Sequence, residues 1–411
     1  MKKHFDTIII GSGFGGLNAA IKLGKKKKNV LIIDKKNHHL FQPLLYQVAT
    51  AGLSPSDIAT PTREILKKYT SVTTILDEVV SFNKENKSIT TKSKSIFTYS
   101  NLVIATGARH SYFGNEQWEE FAPGLKSLND ALKIRENILM SFEQSELEDD
   151  YEKKKAYTTF VIIGAGPTGV EMAGAIAEIA TKTLTKNFSN INPKKSRIIL
   201  IEGGPKVLSS FHPSLSKKAK ADLEAFGVEV KLNSFVKNIT KDGVEVGEEF
   251  ISAKNIIWAA GNKANPIITA LDTKMDRMNR ALVDDDCSIE KHPNIFVIGD
   301  ASAFKQGEGY LPGLAPVAAQ QGKYVANIII KSLSKGKREA FNYLDKGALA
   351  TIGKRKAIME VGRVKISGFI AWIAWLVVHL LFLVLFRNKV SIFSSWVYHY
   401  ITEKRGVRLI K

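Results

Sequence analysis

Three glycines and an acid set the chemistry at the start of this 411-residue chain. Gly11, Gly13 and Gly16 fall in a G-x-G-x-x-G spacing, Gly15 adds further room, and Asp34 lies 23 residues after Gly11. That spacing suits a pyrophosphate: bare backbone can approach the phosphates, and a following helix offers N–H donors and its positive dipole end. A carboxylate at about this distance meets the hydroxyls of a ribose. The set returns as Gly164, Gly166 and Gly169, with Glu202 as the acid 38 residues after Gly164. There the carboxylate would accept from ribose hydroxyls and repel a 2′-phosphate, which favours NADH over NADPH. Later strand ends contribute Thr106 and Gly107, then Gly261, then Gly299 with Asp300, a pair placed for a sugar or ribityl hydroxyl.

The elements that position these residues are legible in the apolar pattern. Ile8, Ile9 and Ile10 read as a strand buried on both faces, followed by a helix over about 14–23 and a second strand, 30–33, that ends on Asp34. Residues 160–163 and 197–201 repeat the two strands, and the longer interval is attributed to a lengthened helix and loop over 181–195. Pro43, Gly52, Pro55 and Pro61 break the segment after Asp34 into loop and short helices close to the first nucleotide site. Alternation up to residue 94 predicts an antiparallel ribbon, and residues 128–155 predict helix, with the charged stretch 145–155 as a solvated linker or helix end. The order implies an α/β fold with two Rossmann-like dinucleotide-binding domains, the second inserted in the first. The expected segments are 1–112 and 266–335 for one domain, 113–265 for the other, and a C-terminal membrane-associated helical region, 336–411.

Composition narrows the partners. A net charge of +19 and a pI of about 9.6 favour an anionic partner. Nucleic-acid-binding patterns are missing, so an anionic lipid surface ranks first and no nucleic acid is expected. Cys287 is the single cysteine, which excludes an internal disulfide, a C-x-x-C pair and a cysteine metal cage; no metal is expected, and a reducing compartment fits. The N-terminus shows no signal-peptide pattern, so the catalytic body is expected to stay in the cytoplasm.

The tail is the least globular part. Residues 368–386 carry one ionisable group, His379, and are about as long as the roughly 20 residues a bilayer core requires. Trp372 and Trp375 stand near the start of this run, Arg387 and Lys389 just after it, and 391–401 read as a more amphipathic helix. From Lys346 onward twelve Lys/Arg face two acids, Glu360 and Glu403, a net charge of +10. Basic residues flank the apolar helix 368–386 on both sides. That pattern favours a helical hairpin lying in one anionic leaflet over a spanning helix.

Two fingerprints about 150 residues apart, the Ala105-Thr106-Gly107 strand end and the late Gly299-Asp300 pair resemble the two-dinucleotide-binding-domain flavoproteins. Within them, HHLFQPLLYQVATAGLSP, GAGPTGVEMAGAIAEIA, LPGLAPVAAQQGKYVA and the apolar tail are similar to type II NADH:quinone oxidoreductases over essentially the whole chain. The resemblance implies FAD at the first fingerprint, NADH at the second, a membrane quinone as acceptor without proton pumping, and residence at the cytoplasmic face of the inner membrane. It implies Glu171 at the nicotinamide and, from an A-Q-x-x-x-Q pattern, Gln320 at the quinone. By the same resemblance Ala319 would lie beside the flavin, and Gln321, Pro43 and Leu44 would border the quinone path. Pro316 replaces the first glutamine of that pattern, which leaves the acceptor open. A homodimer is left open too. A reductase of another acceptor, ferredoxin-like or soluble, and a membrane sensor that binds NADH or flavin without turnover are the alternatives.

Overall fold

The computed structural model describes residues 3–410, so residues 1–2 and 411, at the ends of the expected first and last segments, lie outside the described residues. Contacts divide the chain into two compact units. The first comprises the chain up to Leu40, Ala59–Arg109 and Asn262–Asp345; the second comprises Phe41–Ile58, His110–Gly261 and the chain from Lys346 onward.

In the first unit a sheet runs in the order Ser288–Ile289, His292–Val297, Ile96–Ile104, His4–Ile10, Val30–Asp34, Val72–Leu76. All neighbours are parallel except the antiparallel edge pair Ser288–Ile289 and His292–Val297. The central strands are buried on both faces, which is why they read as unbroken Ile, Val and Leu. One face packs Ile8, Ile10, Leu31, Ile33, Leu102 and Ile104. The other packs Ile9, Ile32 and Val103 beneath the helices Phe14–Lys25 and Ala315–Ile330, with Cys287 buried among them. The expected ribbon is present as Val79–Asn83 paired antiparallel with Ser88–Thr91, while Val72–Leu76 joins the parallel sheet instead.

The second unit repeats the plan with four parallel strands, in the order Val228–Lys231, Arg197–Ile201, Thr159–Ile163, Asn255–Trp258. Residues 128–155 form two helices rather than one: Leu128–Leu147, capped by Ser127 and Asp130, and Tyr151–Tyr157, capped by Asp150. The capping carboxylate of Asp150 restarts the helix, so the charged stretch is largely helical. The long interval before Glu202 contains a π-helical turn, Ile179–Thr183, and a short 3₁₀ turn, Pro193–Lys195.

One expectation for the tail needs correction, that of a single apolar helix. The segment from Lys346 forms the antiparallel strands Ala348–Gly353, Lys356–Val361 and Val364–Gly368 and two helices, all within the second unit, where the first of these strands docks on the helix Pro167–Glu178. Gly174 makes this docking close, since a Cβ there would lie 1.8 Å from the Ile352 carbonyl oxygen. The apolar run 368–386 is not one helix. It splits into Phe369–Phe382 and the start of Phe386–Thr402, with Leu383 extended and buried between them. No proline or glycine breaks it; tertiary anchoring does. Asn388 donates to the Ser56 and Asp57 carbonyls, Ser391 donates to Asp57 Oδ1 and Trp396 Nε1 donates to Gln47 Oε1, all within the second unit. Fourteen helical residues span about 21 Å, short of the ~30 Å of a bilayer core. Among the described residues no helix is long and apolar enough to cross a membrane.

Candidate functional site

The first glycine turn is fixed by its neighbours in the sheet. Gly11 N donates to the Ile33 carbonyl at 2.8 Å and Ala105 N donates to the Ile10 carbonyl at 2.8 Å, so three strand ends meet at one edge. Gly11 has φ +97°, and a Cβ there would sit 2.4 Å from the Ala105 oxygen. A Cβ on Gly16 would lie 1.9 Å from the Gly11 oxygen, whereas one on Gly13 would meet nothing within 4 Å. Gly11 and Gly16 are therefore required by the protein itself. At Gly13 the constraint comes from whatever occupies the open space. A Cβ on Gly15 would lie 3.3 Å from the Ala318 oxygen, and one on Gly322 would lie 2.2 Å from the Gly15 oxygen, so these residues seal the first motif helix against Ala315–Ile330.

Asp34 ends its strand as expected and locks the turn. Its Oδ2 accepts from Ser12 N at 2.6 Å and Ser12 Oγ at 2.7 Å, and its Oδ1 accepts from Lys36 N at 2.8 Å. Ser12 is the hub that sequence reasoning missed: Thr62 donates to its hydroxyl and His39 Nδ1 donates to its carbonyl at 2.9 Å. Burial holds the His39 pKa below its ordinary value, which keeps that ring neutral. No short spacing pattern points to these partners, because they come from later elements, the strand His38–Leu40 and the start of the helix Thr62–Leu66.

The remaining residues expected around a flavin gather in the same unit. Gly299, at φ +68°, donates its N–H to Gln321 Oε1 at 2.7 Å, and Asp300 rests against Gly313. A Cβ on Gly299 would lie 3.1 Å from that of Ala318, the neighbour of Ala319. Thr106 Oγ1 and Gln321 Nε2 are buried without a hydrogen-bond partner among the described residues, beside Gly107 and Gly299 respectively. Buried polar atoms seldom go unmatched. With the open space at Gly13, they fit a phosphate-bearing, polar-edged cofactor of the FAD type. Gln321 is fully buried and its side chain faces the Gly299 turn.

Gln320 points elsewhere. Its Nε2 donates to the Leu344 carbonyl at 2.9 Å and its Oε1 accepts from Leu344 N at 3.0 Å. The amide thus pins the chain just before Lys346. Pro316 is accommodated within the first two positions of its helix, where a missing N–H leaves no intrahelical bond unmade. Pro43 and Leu44 lie on the 3₁₀ turn Gln42–Leu44 of the second unit, Leu44 fully buried. The expected quinone residues are thus divided: Gln320 and Gln321 in one unit, Pro43 and Leu44 in the other.

The second turn repeats the first almost bond for bond. Gly164 N donates to the Ile201 carbonyl and Ala259 N to the Ile163 carbonyl, each at 2.8 Å. Gly164 has φ +101°, a Cβ on Gly169 would lie 1.8 Å from the Gly164 oxygen, and one on Gly166 would meet nothing within 4 Å. Glu202 Oε2 accepts from Ala165 N at 2.7 Å, and its Oε1 accepts from Gly204 N at 2.8 Å. Gly261, at φ +68°, follows Ala260, whose N would lie 2.8 Å from a Cβ on Gly164.

Glu171 projects from the second motif helix, Pro167–Glu178, into a cavity of about 40 Å³ whose wall includes Tyr46, Thr351, Trp372, Trp396 and Tyr400. It keeps part of its surface exposed. Desolvation pushes its pKa up to about 8, against an opposing backbone hydrogen bond from Thr351, so it carries a proton at neutral pH. Deeper in the same wall, Arg405 donates to the Thr50 and Ala175 carbonyls and pairs with Glu178 Oε2 at 3.3 Å. This arginine of the tail is buried in the second unit and is not one of its surface cations.

Residues 5–322 match the family model described as pyridine nucleotide-disulphide oxidoreductase, and residues 346–404 match the NDH2 C-terminal domain. The type II NADH:quinone oxidoreductase NdhA of Mycobacterium tuberculosis is 41% identical over 97% of this chain and 88% of its own length. An external NADH-ubiquinone oxidoreductase of Saccharomyces cerevisiae mitochondria is 26% identical over 96% of this chain and 80% of its own. The solved structure of NDH2 from Plasmodium falciparum in complex with NADH shares the fold, with a TM-score of 0.88 at 23% identity, covering 97% of this chain and 98% of that one. A match of this extent, laid over two glycine turns that each carry their own acid, means that the chain belongs to the type II NADH:quinone oxidoreductases.

Proposed function

We propose that this protein oxidises NADH and delivers the electron pair to a membrane quinone, with FAD as its resident cofactor and without proton pumping. The duplicated acid-locked glycine turn carries the reading: one chain builds two dinucleotide cradles and has no second cysteine for disulfide chemistry. The balance is NADH plus one proton plus quinone giving NAD⁺ and quinol. FAD, when bound, accepts the hydride of NADH and hands on two electrons. The chain up to Leu40, Ala59–Arg109 and Asn262–Asp345 form the FAD domain, and His110–Gly261 forms the NADH domain.

The protein's own groups bind and orient. The Gly13 opening and the N-terminus of Phe14–Lys25 receive the FAD pyrophosphate, Asp34 the adenosine ribose, and Thr106, Gly299 and Asp300 the polar edges of the cofactor, with Ala319 beside it. Gly166 and the N-terminus of Pro167–Glu178 receive the NADH pyrophosphate, and Glu202 accepts from its ribose hydroxyls and repels a 2′-phosphate. Glu171, neutral at pH 7, offers an O–H for the nicotinamide carboxamide. Gln320 acts through the Leu344 chain, while Pro43 and Leu44 wall the quinone path.

The tail supports attachment to an anionic lipid surface. Ile370, Ile373, Val377 and Leu381 expose one stripe of the first tail helix, and Phe386, Val390, Phe393, Val397 and Ile401 expose one stripe of the second. Both stripes follow the helical period, and exposed Arg363, Lys365 and Arg387 stand nearby in sequence. The catalytic units then face the cytoplasm from the inner membrane.

The test is purification in detergent or lipid, measurement of bound flavin, and NADH oxidation against a panel of quinones and soluble acceptors. A yellow protein whose turnover depends on quinone is expected. A colourless protein, or NADH turnover indifferent to quinone, overturns the reading.

A further inference from the structure

A single exposed aromatic beside the second acid has no role in the binding described so far. Phe235 is 72% exposed. Isolated surface hydrophobics are ordinary, so exposure alone says nothing; the place is what matters. A Cβ on Gly203 would lie 2.7 Å from Phe235 Cε1 and 3.2 Å from its Cζ, so the ring lies against bare backbone at the residue after Glu202. Any side chain at position 203 would lift it away. The ring is also held in register. Ser234 N donates to the Glu202 carbonyl at 3.0 Å, Asn233 N to the Gly204 carbonyl at 3.0 Å, and Asn233 takes a left-handed φ of +52° to let the chain turn. The 233–235 loop is therefore stitched to the strand end that carries the acid.

We infer that Phe235 is the stacking platform for the adenine ring of NADH, a specificity-determining residue outside the glycine turn. The inference rests on the second unit being the NADH site. Glu202 receives the ribose hydroxyls there, and the base hangs from that same ribose, so adenine must come to rest close to residues 202–204. An aromatic face next to the ribose acid suits a purine: stacking on aromatic side chains is strong for bases and needs no hydrogen-bond pattern. Glu202 then selects against the 2′-phosphate, while Phe235 supplies affinity for the adenosine half. This affinity is present in ground state and transition state alike, so it acts on KM and leaves kcat unchanged.

The test uses the full-length flavoprotein in lipid. KM and kcat are measured for NADH and for reduced nicotinamide mononucleotide, which lacks adenosine, and ADP-ribose is used as a competitor of NADH. In Phe235→Ala the KM for NADH and the inhibition constant of ADP-ribose are expected to rise roughly tenfold, with kcat at saturation and the KM for the mononucleotide unchanged. Phe235→Tyr is expected to restore wild-type values, and Gly203→Ala, which displaces the ring, to resemble Phe235→Ala. Unchanged ADP-ribose inhibition in Phe235→Ala overturns the assignment, as does equal weakening of mononucleotide and NADH. Should ADP-ribose fail to compete in the wild type, the NADH site itself has been misassigned.

Discussion

The two glycine turns are near copies in backbone and differ in what surrounds them. Each places its motif strand between the acid-bearing strand and a third strand ending in a glycine of positive φ, Gly107 or Gly261. Each acid accepts the N–H of the residue after the first glycine and that of a residue two positions beyond itself. The first turn is then fastened further, with Ser12 Oγ, Thr62 and His39 tying it to later elements and Gly15 packed against the helix Ala315–Ile330. At the second, Ala165 has no hydroxyl, Thr168 stands where Gly15 does, and the helix packs against the Ala348–Gly353 strand through Gly174. A turn fastened on every side suits a cofactor that stays; one fastened by its acid suits a nucleotide that must leave each cycle.

The comparison breaks most sharply if matched lesions behave alike. Gly16→Ala and Gly169→Ala introduce the same collision, at 1.9 and 1.8 Å with a carbonyl oxygen. Gly16→Ala is expected to abolish flavin retention, read as loss of yellow colour and of all activity. Gly169→Ala is expected to keep its flavin and raise the KM for NADH at least tenfold. Loss of flavin from both would mean the turns are not divided between cofactor and substrate. A smaller effect comes from Gly13→Ala and Gly166→Ala, whose new methyl groups meet no protein atom within 4 Å. Thermal unfolding of the flavin-free Gly13→Ala protein should match wild type while FAD affinity falls. Gly166→Ala should leave flavin content intact and weaken NADH binding.

Next in size is the acid. Glu202→Gln keeps an oxygen for one backbone donor and removes the charge that repels a 2′-phosphate. The preference for NADH over NADPH is expected to narrow roughly tenfold, in line with the worth of a charged hydrogen bond. Asp34→Asn should leave that ratio untouched and show instead as slower recovery of activity after flavin removal and re-addition.

Much of this was legible in the sequence because it is local. Strand, glycine spacing and terminal acid are set within about forty residues, and the isoleucine runs announce strands buried on both faces. What was not legible depends on distant contacts. Nothing in residues 368–386 marks the break at Leu383, since Asn388, Ser391 and Trp396 impose it by bonding to a segment more than three hundred residues earlier. Gln320 has the right type and position for a quinone ligand, yet Leu344 occupies both ends of its amide. Arg405 reads as one more basic tail residue until its pairing with Glu178 is seen. Residue type announces capacity; partners decide use.

The finest distinction lies one turn into each motif helix. Asn18 occupies the place that Glu171 takes in the second helix, and it donates to the Phe14 carbonyl at 2.8 Å. It cannot titrate. Glu171 can, and burial has raised its pKa from 4.5 to about 8. The sign follows from proton counting. Below about pH 4.5 both folded and unfolded chains hold the proton; between 4.5 and 8 the unfolded chain releases it and the folded chain keeps it. Stability of the second unit should therefore fall as pH rises through that window and level off above it. Glu171→Gln, a neutral amide of nearly the same shape, should remove this slope and stabilise the protein at pH 8 by on the order of 1 to 2 kcal/mol. That is well under the full linkage value, because Glu171 keeps part of its surface exposed. Asn18→Ala should leave the pH slope as it is. Unfolding measured at several pH values across the window reads both, and an unaltered slope in Glu171→Gln would remove the buried carboxyl from the account of how the two turns differ.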